Sequence, residues 1–493
     1  MLQPSLHPDP ITAACEPRSR FGFGLTPRAI VLLGIGFLCL VPAYFSPNLA
    51  WLMPAWDALI LLAAIFDGLR LPRPQQITAT RSWLSAPALG SPVEIELTIL
   101  NQGLNQGQQS KTLLICDLLD DLPSELVETP TRQTLRAHPH INASLRYTLR
   151  PRHRGDTTAG DLYLRYQSTL GLLRRWAKAP LAQPVRIYPE LHPAEDQQIY
   201  LARSRQIDLQ LRQMRHRGLG REFESLREYR PGDDLRDICW TASARRGDLI
   251  TRQFQAERSQ SIWIVLDTGR LMRALVKDTT PRSGLSISAT TPNNATNLPS
   301  PANSAIHSKL DFACATAVAL AQLAIYSGDR VGLLGYGRHI QQQLLPNRGP
   351  AHMRQFLESL AQLETEPSEA DHLRATAVLG RLQPRRALIL WITDLAESAM
   401  RPEVIDGAAQ LLHRHIVLFV SMAQPEVAAI ASAIPETVEE MFRSAAAQEM
   451  ASRRDLLLAR LRDQGAITLD TLPSQMTAGV LNNYLSIKER ALL

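Results

Sequence analysis

At 493 residues the chain is too long for one core and implies about two to four domains. With 45% apolar and 20% charged residues it has the make-up of a folded protein, which excludes a disordered chain. The net charge of +6 is modest and not gathered into a Lys-rich tail, which argues against nucleic acid as a partner. The five cysteines (Cys15, Cys39, Cys116, Cys239 and Cys314) are odd in number, scattered, and contain no CxxC pair. Neither a disulfide framework nor a zinc site follows, and the usage suits a reducing compartment.

Residues 1–28 read as a cytoplasmic N-terminal tail. From Ala29 to Trp56 there is no charged residue. Ala29 to Phe45 is one apolar stretch; Leu49 to Phe66 is a second, interrupted by Pro54 and Asp57; Ser46-Pro47-Asn48 separates them. A spanning helix needs roughly 20 apolar residues, so residues 29–70 are expected to form a hairpin of two short transmembrane helices. Arg18, Arg20 and Arg28 precede it, and Arg70 and Arg73 follow. Positive flanks stay inside. The expectation is a multi-pass protein of the inner (cytoplasmic) membrane with the bulk of its chain in the cytoplasm and Asp57 at the interface.

Residues 75–190 alternate polar with apolar over Val93–Ile99, Ser144–Leu149, Asp161–Tyr166 and Val185–Tyr188. Period-two alternation divided by Gly, Pro and Asn marks half-buried antiparallel strands, and several of them predict a β-sandwich-like middle domain.

Residues 200–258 hold thirteen Arg, nine Asp or Glu and no Lys between Arg203 and Arg258. The planar Arg fork can hold a carboxylate through two hydrogen bonds, which Lys cannot. Glu222, Phe223, Arg227, Tyr229, Arg230, Gly232, Asp233, Asp234, Arg236, Trp240 and Arg245 stand out as a signature. Internal ion pairing that clamps a linker competes with an exposed docking surface. Gly218-Leu219-Gly220 lacks the spacing that cradles phosphate.

Residues 259–493 change period again. Continuous apolar runs at Ile262–Asp267, Arg330–Tyr336, Ala387–Asp394, His415–Ser421 and Ala466–Leu469 suit parallel strands covered on both faces. Helical stretches fall at Lys309–Tyr326, His352–Leu363, Leu373–Leu382 and Pro402–His413. Alternation of the two predicts a doubly wound, Rossmann-like α/β domain. The Ser-, Thr-, Pro- and Asn-rich residues 279–308 read as a disordered insertion after the first strand. Asp267 and Asp394 end two of the strands, where ligands of open α/β sheets bind. They could hold Mg²⁺, which takes oxygen ligands, or each could cap the helix that follows. His413 and His415 flank a strand and read as surface residues.

Arg152 to Gly155, Gly171-Leu172-Leu173, Tyr188-Pro189 and above all the Glu222 to Arg246 run, with REYRPGDDLRDICWTASAR, resemble the family catalogued as domain of unknown function fifty-eight. The resemblance covers nearly the whole chain. It implies a von Willebrand A-like C-terminal domain, a short membrane hairpin, a bacterial source, and work beside a MoxR-type AAA+ ATPase on an unknown protein client. Metal-binding domains of that kind carry an Asp-x-Ser-x-Ser motif, a Thr and a second Asp. Asp267 and Asp394 match the two aspartates, but Gly269 and Leu271 replace both serines, and Thr365 and Ser368 match the Thr only loosely. The leading expectation is therefore a non-catalytic, membrane-anchored scaffold or adaptor. The alternative is a Mg-dependent enzyme, or a metal-mediated ligand-binding domain, built on Asp267 and Asp394. No His-carboxylate pair, GxSxG or HExxH supports catalysis. A channel or transporter ranks lowest, since two short helices with one acid form no pathway.

Overall fold

The computed structural model describes residues 7–18, 22–38, 51–101, 113–127, 132–139, 141–190, 199–207, 222–230, 238–255, 260–277, 306–394 and 403–490. They fall into two compact units, Met1–Tyr188 and Pro189–Leu493.

The first unit is a β-sandwich that carries two helices. One sheet has the order β1 (Ile11–Ala14), β4 (Ile77–Trp83), β5 (Val93–Asn101), β8 (Asn142–Leu149). The other runs β2 (Glu16–Pro17), β11 (Leu173–Ala179), β10 (Leu162–Gln167), β6 (Leu114–Asp120), β7 (Arg132–Ala137), with β3 (Phe23–Leu25) also paired to β11. A ribbon of β9 (Gly155–Ala159) and β12 (Gln183–Ile187) completes it. Alternation of buried with half-buried or exposed positions in β5 and β10 is the pattern that the sequence displays at Val93–Ile99 and Asp161–Tyr166. The inward positions, among them Ile77, Ile95, Leu118, Leu164 and Val185, form one core. Arg81 is buried in it, donating to Leu181 O and Gly160 O, both at 3.0 Å, and paired with Asp120. Tyr147 donates to the same carboxylate.

The N-terminal tail is more than a tail. Residues 11–25 supply β1, β2 and β3 to both sheets, although the three strands are only two to four residues long. Between β3 and β4 come α1 (Pro27–Gly36) and α2 (Leu52–Arg70). The 39–50 stretch, with the expected turn at Ser46-Pro47-Asn48 and Cys39, lies outside the described residues. Helix α2 has a mean hydropathy of 1.7 and is 17% buried, so it is long and apolar enough to cross a membrane. Helix Lys309–Tyr326 passes the same test but is 72% buried, as befits a core helix. Trp56 Nε1 donates to Leu32 O at 2.9 Å and ties α2 to α1, with half-buried Asp57 next to it.

Both helices are fixed at the β10–β11 turn. Thr26 caps α1, accepting from Ala29 N, and donates to Gly171 O at 2.5 Å. At the other end of the hairpin, buried Asp67 accepts from Ser168 Oγ and from the backbone N–H groups of Leu172 and Leu173 at 3.1 and 3.2 Å.

The second unit opens with a hairpin, β13 (Glu222–Glu228) and β14 (Ile250–Gln255), with α3 (Trp240–Arg246) between them. A six-stranded sheet follows in the order β19-β18-β15-β20-β21-β22. Its strands are β15 (Ser261–Asp267), β18 (Arg330–Tyr336), β19 (Ile340–Asn347), β20 (Leu388–Ile392), β21 (Ile416–Met422) and β22 (Ile467–Thr471). Counted within the domain the order is 3-2-1-4-5-6, doubly wound. All neighbours are parallel except β19, an antiparallel edge strand that the sequence reading did not foresee. The buried runs Ile262–Asp267 and Val331–Tyr336 are continuous because helices cover both faces.

Those helices are α4 (Lys309–Tyr326), α5 (Pro350–Ala361), α6 (His372–Leu382), α7 (Glu403–Leu412), α8 (Pro425–Ser432), α9 (Val438–Asp463) and α10 (Pro473–Glu489). Buried Asp329 accepts from Tyr484 Oη at 2.6 Å and pairs with Lys488, securing α10 beside the start of β18. The insertion expected at 279–308 lies outside the described residues except at its end. There β17 (Ile306–Ser308) pairs antiparallel with β16 (Leu275–Lys277) and leads directly into α4.

Candidate functional site

Strands β15 and β20 are parallel neighbours, so Asp267 and Asp394 meet at one edge of the sheet. Asp267 is the last residue of β15; Asp394 stands two residues beyond β20. Both are almost fully buried. Two carboxylates in an apolar crevice need hydrogen bonds or a counter-charge, and each has its own supply.

Asp267 Oδ1 accepts from Gly269 N at 2.7 Å, and Oδ2 from the Thr393 hydroxyl at 2.5 Å. Burial lifts its carboxyl from the ordinary 3.8 to about 6; the two hydrogen bonds oppose that rise, while the charges of Asp394 and Glu366 add to it. Asp394 is paired with the ammonium of Lys309, the first residue of α4, which is itself 6% exposed. Gln424 Nε2 lies 3.4 and 3.2 Å from the two Asp394 oxygens.

The loop before α6 closes one side of the crevice. Glu366 N donates to Thr268 O at 2.7 Å and Arg270 N to Ser368 O at 2.9 Å. Of the two hydroxyl residues singled out there, Ser368 donates to Glu366 Oε2 at 3.2 Å. Behind the crevice, Trp391 Nε1 donates to Tyr336 Oη at 2.7 Å, which leaves the phenol proton for His372 Nδ1 at 2.9 Å. Burial, with Asp267 adding to it, holds the Tyr336 phenol well above its usual range.

These donors do not fit Mg²⁺. That ion demands near-octahedral oxygen ligation at about 2.0–2.1 Å, yet all four carboxylate oxygens already face protein donors. Among the described residues no group of three or more His, Cys, Asp or Glu could hold a metal. Thr268 Oγ1, buried without a hydrogen-bond partner, adds one neutral oxygen at most. A Cβ at Gly269 would lie 2.9 Å from Ala370 N and 3.1 Å from Asp267 Oδ1, so the loop leaves no room for the serine of a metal-binding motif.

The described residues of the arginine-rich signature fall on the β13–β14 hairpin and on α3 between its strands. Gly232, Asp233, Asp234 and Arg236 lie outside the described residues. Glu222 and Phe223 begin β13, opposite Gln255 and Phe254. Arg227 and Tyr229 are half-buried, and Arg227 Nη1 donates to Glu228 O at 3.2 Å. Arg230 and Arg245 are exposed, and Trp240 is 68% exposed at the start of α3. Helix α3 is held by Ser243, which donates to Cys239 O and accepts from Ile250 N at 2.9 Å; it ends at Gly247 in the left-handed region (φ 82°). Of the two strand-flanking histidines, His413 is exposed. His415 is buried, contrary to the surface reading, because it leads into fully covered β21; burial, with Arg414 nearby, lowers its pKa.

A second surface escaped the sequence reading. Helices α8 and α9 follow the carboxyl end of β21, and the first half of α9 is almost wholly exposed. Ile434, Val438, Met441 and Phe442 are 90, 69, 51 and 68% exposed. The last three share one helix face by their spacing. Glu436, Glu439 and Glu440 are exposed on the same stretch. Gln424, which reaches Asp394, is the N-cap of α8, so crevice and hairpin are neighbours.

Residues 225–282 and 298–444 match the family model described as Protein of unknown function DUF58. Over this region the chain is similar to the DUF58 family. The match takes in most of the Glu222 to Arg246 run that carried the resemblance and stops at residue 444, short of the end of the α/β unit. "Uncharacterized protein Rv1480" of Mycobacterium tuberculosis and "Uncharacterized protein Mb1516" of Mycobacterium bovis are each 26% identical to this chain over 212 residues. The match covers 42% of this chain and 56% of each relative, so the chain spans little more than half the length of these curated relatives. "Uncharacterized protein YeaD" of Bacillus subtilis is 40% identical over 43 residues, 9% of this chain and 11% of that protein.

Among solved structures, conserved hypothetical protein BatB from Bacteroides thetaiotaomicron is matched with a TM-score of 0.27 at 14% identity, covering 46% of this chain and 99% of that one. A von Willebrand factor type A protein from Catenulispora acidiphila gives 0.25 at 11%, covering 49% and 44%. Scores that low carry no weight alone. What the structure itself supplies is a 3-2-1-4-5-6 sheet with an antiparallel third strand, the doubly wound fold expected of a von Willebrand A-like domain.

Proposed function

We propose that this protein is a membrane-anchored, non-catalytic adaptor whose α/β unit docks a protein partner. One observation carries the reading: the α8–α9 hairpin exposes Ile434, Val438, Met441 and Phe442 on a stretch that also carries Glu436, Glu439 and Glu440, next to a crevice whose carboxylates are already engaged. Exposed contiguous apolar side chains with a charged rim are the usual anatomy of a protein-binding patch. The glutamates on that stretch favour a partner that presents apolar side chains among Lys and Arg. By the family resemblance, the partner is a MoxR-type AAA+ ATPase and the complex acts on a protein client during maturation or assembly.

The anchor is the α1–α2 hairpin at the inner membrane, with both flanks and the remaining chain on the cytoplasmic side. The outward apolar side chains of α2, among them Leu59, Leu62, Ile65 and Leu69, support it. So do the flanking arginines.

Cross-linking in native membranes followed by detergent solubilisation tests the reading. The parent protein is expected to retain an AAA+ ATPase. Phe442→Glu is expected to lose it while its unfolding free energy stays within about 0.5 kcal/mol of the parent's, as befits an exposed site. Recovery of no ATPase by the parent, with complex assembly intact after deletion of the protein, would sink the proposal.

A further inference from the structure

We infer that Lys309 is a built-in cation: its ammonium takes the place at Asp394 that a divalent metal would take, so the crevice works without one. This does not depend on the adaptor reading, since it concerns how the crevice balances its own charge.

Two buried aspartates at the ends of adjacent strands repel one another, and the apolar walls deny them water. A proton, a metal ion or a cationic side chain can relieve that. Lys309 is an unusual choice for the first residue of a helix, where the helix dipole disfavours a positive charge. A buried ammonium at such a position is tolerated because it meets a carboxylate, and Asp394 is that carboxylate. The antiparallel β16–β17 ribbon sets the start of α4, and Ala274 O accepts from Lys309 N at 3.0 Å, so the side chain is delivered from a fixed backbone. Asp267 is settled separately through Thr393 and Gly269. The closeness of Ala370 to Gly269 then removes the space in which a hydroxyl ligand would stand. The resident cation at Asp394, the hydrogen bonds that engage Asp267 and the filled ligand position at Gly269 point the same way.

The test uses the full chain in detergent and has two arms. In the first, Mn²⁺ is titrated by the loss of its free electron-paramagnetic signal, in the parent and in Asp267→Asn and Asp394→Asn. The expected result is no binding in the parent that either substitution removes, and no change of unfolding midpoint on adding Mg²⁺ or a chelator. Stoichiometric Mn²⁺ binding abolished by either substitution would overturn the inference.

The second arm is a double-mutant cycle. Lys309→Met and Asp394→Asn are each expected to lower the unfolding midpoint, and the combination to recover most of the loss. Should Lys309→Met alone fail to fold, recovery of a folded protein in the double variant supports the pairing. A double variant no better than the worse single change overturns it.

Discussion

Replacing Asp267 by Asn keeps the shape of the side chain and removes its charge, and the consequence should appear in the pH dependence of stability. The folded chain raises the Asp267 pKa from 3.8 to about 6, chiefly by burial. Between those two values the native state holds a proton that the unfolded chain has released. Stability from this group is therefore highest in acid, declines as pH climbs from about 4 to 6, and is lowest once the carboxylate is ionised. At 1.36 kcal/mol per pKa unit, the shift amounts to about 3 kcal/mol. The substituted amide cannot ionise, so the stability of Asp267→Asn relative to the parent should improve by up to about 3 kcal/mol between pH 4 and pH 7. Urea unfolding of the solubilised chain, followed through the buried Trp263 and Trp391, measures both proteins at each pH. Subtraction removes the titrations they share. A difference that stays flat, or that shrinks as pH rises, would refute the reasoning.

Two further substitutions probe the frame around the site. Asp67→Ala strips three donors (Ser168 Oγ, Leu172 N and Leu173 N) of their buried acceptor and should cost roughly 3 kcal/mol. Faster proteolysis at the β10–β11 turn would report it, and an unaltered cleavage rate would count against the dock. Arg454→Met removes the donor that α9 extends to Ser421 Oγ, Met422 O and Asp470, and should destabilise the α/β unit by roughly 3 kcal/mol. An unchanged urea midpoint would show that those contacts contribute little.

Much of the α/β unit was legible because its strands are covered on both faces and therefore apolar throughout; the run expected at Arg330–Tyr336 is the strand observed. The sandwich strands β5, β8 and β10 were legible through alternation. Edge elements were not. Strand β19 begins Ile340-Gln341-Gln342-Gln343 and packs only on one side, so it carries neither pattern. Strands β1 to β3 are too short for a period to emerge. Asp267 and Asp394 could be marked as strand-end carboxylates, but Lys309 stands 85 residues from Asp394 in the sequence, and only the sheet brings them together. The long helix α9 hid for another reason: its first half packs against the short helix α8 through Ser444 and Ala447, and its large apolar side chains serve the surface and give no core-facing stripe.

The placement of β1, β2 and β3 has a consequence for how the molecule is made. These strands are synthesised before the apolar hairpin, yet they pair with β4 and β11, which are synthesised after it. With α1 and α2 as the proposed anchor, neither sheet can close until the polypeptide has entered the bilayer and come back on the same side. Assembly of the sandwich would then verify that the hairpin has been threaded as a return loop. A chain cut just before Pro27 would present the bare borders of β4 and β11, ready to pair with a neighbour.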